Sequence, residues 1–258
     1  IKVNMPHSKL DEDNISGNIL FKKDKSRLTS IFDYKENQIV FKNANLRNTF
    51  LEGKFDGVIK FLPYFDFDLN VDLNGVNFNK FHSYFVALDT QNIFKINEKI
   101  NGQLNLSTNK LYSKYNLINS FESRLKFING NILIEQLLLN MGKLGAADIT
   151  GIIENNKKFT NFKFENNIFV DNLKRFYNKF GIYNKEKTSS SLFVRGSFDL
   201  KNFNLRFQEI SNKQKFKDDD VSYIEKEFND ILLKNGYVSL FNFPKLKEFV
   251  KLVVAEEN

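Results

Sequence analysis

Between Leu51 and Gly75 apolar and polar residues alternate one for one. Odd positions carry Leu51, Gly53, Phe55, Gly57, Ile59, Phe61, Pro63, Phe65, Phe67, Leu69, Val71, Leu73 and Gly75. The even positions between them are mostly Glu52, Lys54, Asp56, Lys60, Asp66, Asp68, Asn70, Asp72 and Asn74. Successive side chains of a strand point to opposite faces, so this segment has one apolar and one wet face. Leu62-Pro63-Tyr64 interrupts the pattern, because proline cannot donate to a central ladder. Two strands are predicted, near Leu51–Phe61 and Phe65–Leu73. The signature recurs at Ile15, Gly17, Ile19 and Phe21, at Ile100, Gly102, Leu104 and Leu106, at Phe121, Leu125 and Phe127, and at Leu192, Val194, Phe198 and Leu200. Alternation of this kind predicts antiparallel sheet with one solvated face.

Two short segments switch to helical spacing. Phe78, Phe81 and Phe85 follow Asn77, a capping residue type. Leu173, Phe176, Tyr177 and Phe180 follow Asp171, and Gly181 marks the stop. These elements come in the same order twice. Each unit opens on an Ile-x-Gly strand (Ile15-Ser16-Gly17, Ile100-Asn101-Gly102) and has a second glycine strand (Leu51-Glu52-Gly53, Ile149-Thr150-Gly151). Each closes on a strand running into a short helix, and Val194-Arg195-Gly196 opens a third unit. Residues 1–99, 100–190 and 191–215 are therefore read as two β repeat units and the start of a third, in an elongated sheet rather than one globular core. Residues 216–258 change character. Asp218, Asp219 and Asp220 open a helix with apolar positions Val221, Ile224, Phe228, Ile231 and Leu232, and Asn235-Gly236 ends it. Pro244 starts a second helix with a stripe of Leu246, Phe249, Val250 and Val253, read as packing on the sheet.

Composition narrows the chemistry. The absence of Cys removes disulfides, thiolate catalysis and Cys-based metal sites. Two histidines, His7 and His82, leave little for a His-rich metal site or a triad. The 29 Phe and the excess of Lys and Asn are partly what AT-rich codons give. The formal charge of +7 permits attraction to anionic partners, but no RNA-binding aromatic signature accompanies the scattered Lys and Arg, so nucleic acid is not expected. No run approaches the roughly 18 apolar residues of a membrane span. The chain opens on Ile1 without a signal peptide and is taken as a fragment of a longer protein. The Asp218–Asp220 run reads as acidic residues favouring a helix N-terminus, and Asp66, Asp68 and Asp72 as an ordinary solvated strand face. No catalytic motif, cofactor fingerprint or metal-ligand spacing is present, so no catalytic, cofactor-binding or metal-ligating residue is expected.

The glycine-centred strands Ile15–Phe21, Leu51–Phe61, Ile100–Leu106, Ala147–Ile153 and Val194–Leu200, with the joins Val76-Asn77-Phe78-Asn79-Lys80-Phe81 and Val170-Asp171-Asn172-Leu173-Lys174-Arg175-Phe176, resemble the AsmA-like family, relatives of the TamB-type proteins of the Gram-negative envelope. The resemblance covers roughly residues 14 to 210. Two departures stand out: the usual N-terminal membrane anchor is missing, and Asn77 replaces Asp in the first join. The resemblance implies a mainly β fold, a long sheet curled into an open apolar trough, with short helices at repeat ends. It implies a periplasmic, non-enzymatic protein, anchored to the inner membrane in its full-length form. Such a protein conducts phospholipid acyl chains in outer-membrane lipid transport or assembly, and there is room for an envelope protein partner. The groove would be lined by Leu51, Phe55, Ile59, Phe61, Phe65, Phe67, Leu69, Val71, Leu73, Leu104, Leu106, Phe121, Leu125, Phe127, Phe162, Phe164 and Phe198. An apolar face needs a cover, which could be its own sheet, a helix or acyl chains. A structural or adhesive β-sandwich is therefore the alternative, with strands 51–61 and 121–127 face to face. A piece of an outer-membrane barrel is disfavoured by the missing Trp, the basic charge and the helical C-terminus.

Overall fold

In the computed structural model the described residues are 2–4, 14–86, 96–155, 160–183, 185, 187–234, 240 and 242–256. They divide into two compact units. The first comprises Ile1–Leu88 and Ile96–Gln136, the second Asp89–Lys95 and Leu137–Asn258. The chain is mainly β, with sheet in both units, short helices and a helical C-terminus, as the alternation predicts.

The first unit holds β1 (Lys2–Asn4), β2 (Asn14–Lys23), β3 (Ser26–Lys35), β4 (Gln38–Arg47), β5 (Leu51–Lys60), β6 (Phe65–Asn77), α1 (Phe78–Val86), β7 (Ile100–Thr108), β8 (Leu111–Tyr112) and β9 (Ser120–Ile128). Its strands pair in chain order from β1 to β7 and then β9, with the short β8 beside the end of β6. β10 (Asn131–Asn140) crosses from one unit into the other. Two-residue turns set the register. Glu36-Asn37 and Asn129-Gly130 have positive φ at both positions, the conformation whose twist matches a hairpin.

The sheet is antiparallel except where β6 meets β7 and β8 in parallel, Phe65 lying opposite Ile100 and Leu73 opposite Thr108. Parallel neighbours cannot be joined by a tight turn. Here the connection passes through α1, and β7 starts level with the beginning of β6.

The second unit holds β11 (Gly145–Asn155), β12 (Thr160–Val170), α2 (Leu173–Lys179), β13 (Ser190–Asp199), β14 (Asn204–Asn212), β15 (Gln214–Lys215), α3 (Asp218–Phe228) and α4 (Phe243–Glu256). Its strands β11 to β15 are all antiparallel in chain order. A wider turn, Asn229–Leu233, continues α3 and buries Leu232 and Leu233.

The sequence repeat has a structural period. With the three-residue β1 set aside, Gly17, Gly102 and Gly196 lie on β2, β7 and β13, each the first strand of a sequence repeat. Gly53 and Gly151 lie on β5 and β11, each the fourth strand once the two-residue β8 is set aside. The fifth strands, β6 and β12, run into α1 and α2. The two repeats then differ in their exit, because β12 meets β13 antiparallel where β6 meets β7 parallel.

The helix ends follow their sequence signals with one shift. Asn77 Oδ1 accepts from the Lys80 N–H at 3.1 Å. In the second join the cap is Asn172, which accepts from the Arg175 N–H at 3.0 Å, one residue beyond Asp171. Asn242 caps α4 through the Lys245 N–H. Gly181 takes φ +69 just past α2, where a side chain would be strained. His7, Asn235-Gly236 and the Phe85 side chain lie outside what is described.

Candidate apolar binding face

The strand register places the odd residues of β5 and β6 on one face. Phe55 lies opposite Val71, Gly57 opposite Leu69, Ile59 opposite Phe67 and Gly53 opposite Leu73. Beyond the bulge at Glu52/Gly53, Leu51 lies opposite Val76. The parallel partner continues the same face: Leu104 beside Leu69, and Leu106 beside Val71. β9 extends it with Leu125 opposite Leu104, Phe127 opposite Gly102 and Phe121 opposite Thr108. Phe61 lies just past β5 and is 43% exposed, its ring 6.1 Å from that of Phe65. Of the groove residues named from sequence, the fourteen from Leu51 to Phe127 thus belong to one face of the first unit.

Three strands that sequence reading left out of the groove belong to the same face. Ile39, Phe41, Ala44 and Leu46 on β4 lie opposite Ile59, Gly57, Phe55 and Gly53. Leu28, Phe32 and Tyr34 on β3 follow, and then Ile15, Gly17 and Phe21 on β2. The continuous apolar face therefore crosses seven strands, β2 to β7 and β9. Bulges between Thr29 and Ile31 and between Phe41 and Ala44 hide this continuity from simple parity.

Most side chains of the face are half-buried, Phe55, Ile59, Phe65, Phe67, Leu69 and Val71 among them. Lateral packing accounts for much of that: the ring of Phe67 lies 5.2 Å from Phe127, 6.2 Å from Phe65, and directly over Gly102. Gly102 separates the two phenylalanines in register, so its lack of a side chain lets their rings meet across β7. Among the described residues the first unit has one helix, α1, which packs on β6 and β8 with Phe81 against Phe50. Strands β5 and β9 lie in one sheet with β6 and β7 between them, not face to face as a sandwich would require.

The opposite face is polar and laddered. The Asn105 amide donates to Asn70, and the Asn70 amide donates to Asp56, linking three strands. Ser107 donates to Asp72 at 2.6 Å. On β2–β4, Lys42 and Ser16 both donate to Asp33, and these bonds, the one from Lys42 foremost, hold its carboxyl below the usual carboxylate range. A depressed carboxylate adds stability above its unfolded pKa of about 3.9, and that stability is lost as pH falls through the lower folded value. Asp33→Asn is therefore expected to be less stable than wild type at neutral pH, with the difference vanishing in acid below that range. Urea melts at pH 7 and near pH 2.5 check it; a difference that stays constant with pH would contradict the assignment.

The remaining named residues, Phe162, Phe164 and Phe198, sit in a different setting in the second unit. Phe162 lies opposite Phe198, and Phe164 opposite Gly151 and Gly196. Here the C-terminal helices cover the apolar face. Val221 and Ile224 of α3 pack on Val194 and Ile210, with Phe164, Leu192, Phe207, Phe249 and Val253 around them. α3 is also fastened to β14: Asn229 accepts from the Leu205 N–H and donates to its carbonyl, as a neighbouring strand would, and Glu225 accepts from the Phe207 N–H. These bonds occupy main-chain groups that an edge strand otherwise offers to other chains. Between helices and sheet remains an apolar cavity of about 290 Å³.

Among the described residues no group of His, Asp and Glu side chains is arranged to hold a metal ion, and no helix is long and apolar enough to cross a membrane. Comparison with known protein families, curated proteins and solved structures finds no match.

Proposed function

We propose that this chain is a non-enzymatic envelope protein that holds phospholipid acyl chains along the apolar face of its first unit. In this reading it works in the periplasm, attached to the inner membrane through an anchor elsewhere in a longer protein, and supports outer-membrane lipid transport or assembly. The observation that carries the reading is the seven-strand apolar face whose side chains are half-buried by one another rather than by a second layer of described residues. Across seven strands at about 4.8 Å spacing it is roughly 29 Å wide. An acyl chain laid on it gains about 0.8 kcal/mol for each CH₂ removed from water, so one sixteen-carbon chain covered on half its surface gains about 6 kcal/mol. The polar ladder on the reverse face keeps the sheet wetted on the other side. Nothing in this task needs a reactive side chain.

Phospholipid should copurify with the protein from a Gram-negative host and be displaced by excess detergent. Native mass spectrometry and chloroform extraction measure it; a lipid-free protein that also fails to take up phospholipid from vesicles would end this reading. The alternative, a structural module with a closed core, draws on the second unit, where α3 and α4 already cover the sheet.

A further inference from the structure

The cavity of the second unit contains one residue that does not match its walls. Phe164, Ile168, Val194, Phe207, Phe228 and Phe249 give it an apolar lining from β12, β13, β14 and both C-terminal helices. Asn166 also lines it, on the inward face of β12 between Phe164 and Ile168, opposite Ile149 on one side and Val194 on the other. Its Oδ1 is shielded from solvent and has no hydrogen-bond partner among the described residues. A buried acceptor left unpaired is costly, and apolar packing at the same position would avoid that cost. Among the described residues no charged side chain lines the cavity.

We propose that this cavity binds a neutral, single-chain aliphatic molecule bearing a hydroxyl, whose O–H donates to Asn166 Oδ1 while its chain fills the apolar walls. Three features select this class. The unpaired atom is an acceptor, so the ligand must supply a donor. The absence of charged groups disfavours an ionised head group. The volume of about 290 Å³ holds about ten water-sized groups, enough for one medium chain and too little for a two-chain phospholipid. The proposal does not rest on the lipid reading of the first unit.

The test uses two isomers, 1-octanol and heptyl methyl ether, of equal size but with and without a donor. Ligand-observed NMR titration of the full chain should show octanol binding about tenfold tighter, the worth of one well-placed hydrogen bond. Octanol should shift the methyl signals of Val194 and Ile168 at lower concentration than those of Val71, in the first unit. In Asn166→Leu the preference should fall to within about twofold while the melting temperature holds or rises. Equal binding of the isomers, binding of neither, shifts at Val71 but not Val194, or a preference that survives in Asn166→Leu would each overturn the proposal. The wild-type shifts and the isomer comparison decide the matter even if the variant fails to fold. A protein without copurifying phospholipid would leave this result untouched.

Discussion

Phe67→Asp should strip bound phospholipid from the protein, with occupancy falling at least tenfold, while Asp68→Asn stays near wild type. The two residues are neighbours on β6 and differ in the face they present. Phe67 is half-buried among Ile59, Phe65 and Phe127, whereas Asp68 is exposed on the polar face opposite Val58. A carboxylate at position 67 would lie against acyl chains, where an unpaired charge loses hydration worth several kcal/mol, and each 1.4 kcal/mol is a factor of ten in occupancy. Asparagine at position 68 replaces one wetted polar group by another. Extracted phospholipid per mole of protein is the measurement, with thermal unfolding of both variants beside it, because an inward Asp also weakens the sheet. If both variants are folded and carry equal lipid, acyl chains do not use this face.

How much of this face could be read from sequence depends on where the period of two runs unbroken. Along β5, β7 and β9, and along β6 as far as Leu73, it does, and the groove residues named there from parity fall on the expected face; past Leu73 a bulge turns Gly75 to the side of Glu52 and brings Val76 inward. Along β4 it does not. A bulge there reverses the phase, so Phe41 and Ala44, of opposite parity, share the inner face and the small Ala44 is fully buried, while β3 keeps its even residues inward and leaves Ile31 46% exposed. A bulge is set by one extra residue in the pairing of two strands, and Asn43 at positive φ is its only local trace. The glycine-centred strands were legible from the alternation around each glycine. The parallel junction of β6 and β7 was not, because alternation within a strand carries no record of the direction of its neighbour. The amphipathic stripe of the last helix predicted packing on sheet, and Phe249 and Val253 do pack there. Asn166 escaped notice for a compositional reason: in a chain this rich in asparagine, the pair Asn166-Asn167 reads as a polar step, though only Asn167 is exposed.

Gly102→Ala should destabilise the first unit by about 2–4 kcal/mol, the combined order of backbone strain and local overpacking. Gly102 has φ +151, a conformation that residues with a side chain rarely adopt. A Cβ there would stand 2.4 Å from the Phe67 carbonyl oxygen and 2.6 Å from its ring. The oxygen belongs to the β6 backbone, which is paired to β5 on its other side, so it cannot yield without disturbing both ladders. The ring could move, but only by giving up its contact with Phe127 at 5.2 Å. Gly75 supplies the comparison within the same sheet. A Cβ at Gly75 would meet the far edge of the Tyr112 ring at 3.0 Å, a mobile side chain that is 55% exposed. Gly75→Ala should therefore cost less than about 1 kcal/mol, because a surface ring that can swing aside relieves the contact without a change in backbone pairing. Denaturant unfolding, with hydrogen exchange of the β6 and β7 amides to localise the loss, distinguishes the two. Equal stability of Gly102→Ala and Gly75→Ala would show that the close approach of β7 to Phe67 is not what glycine serves at this position.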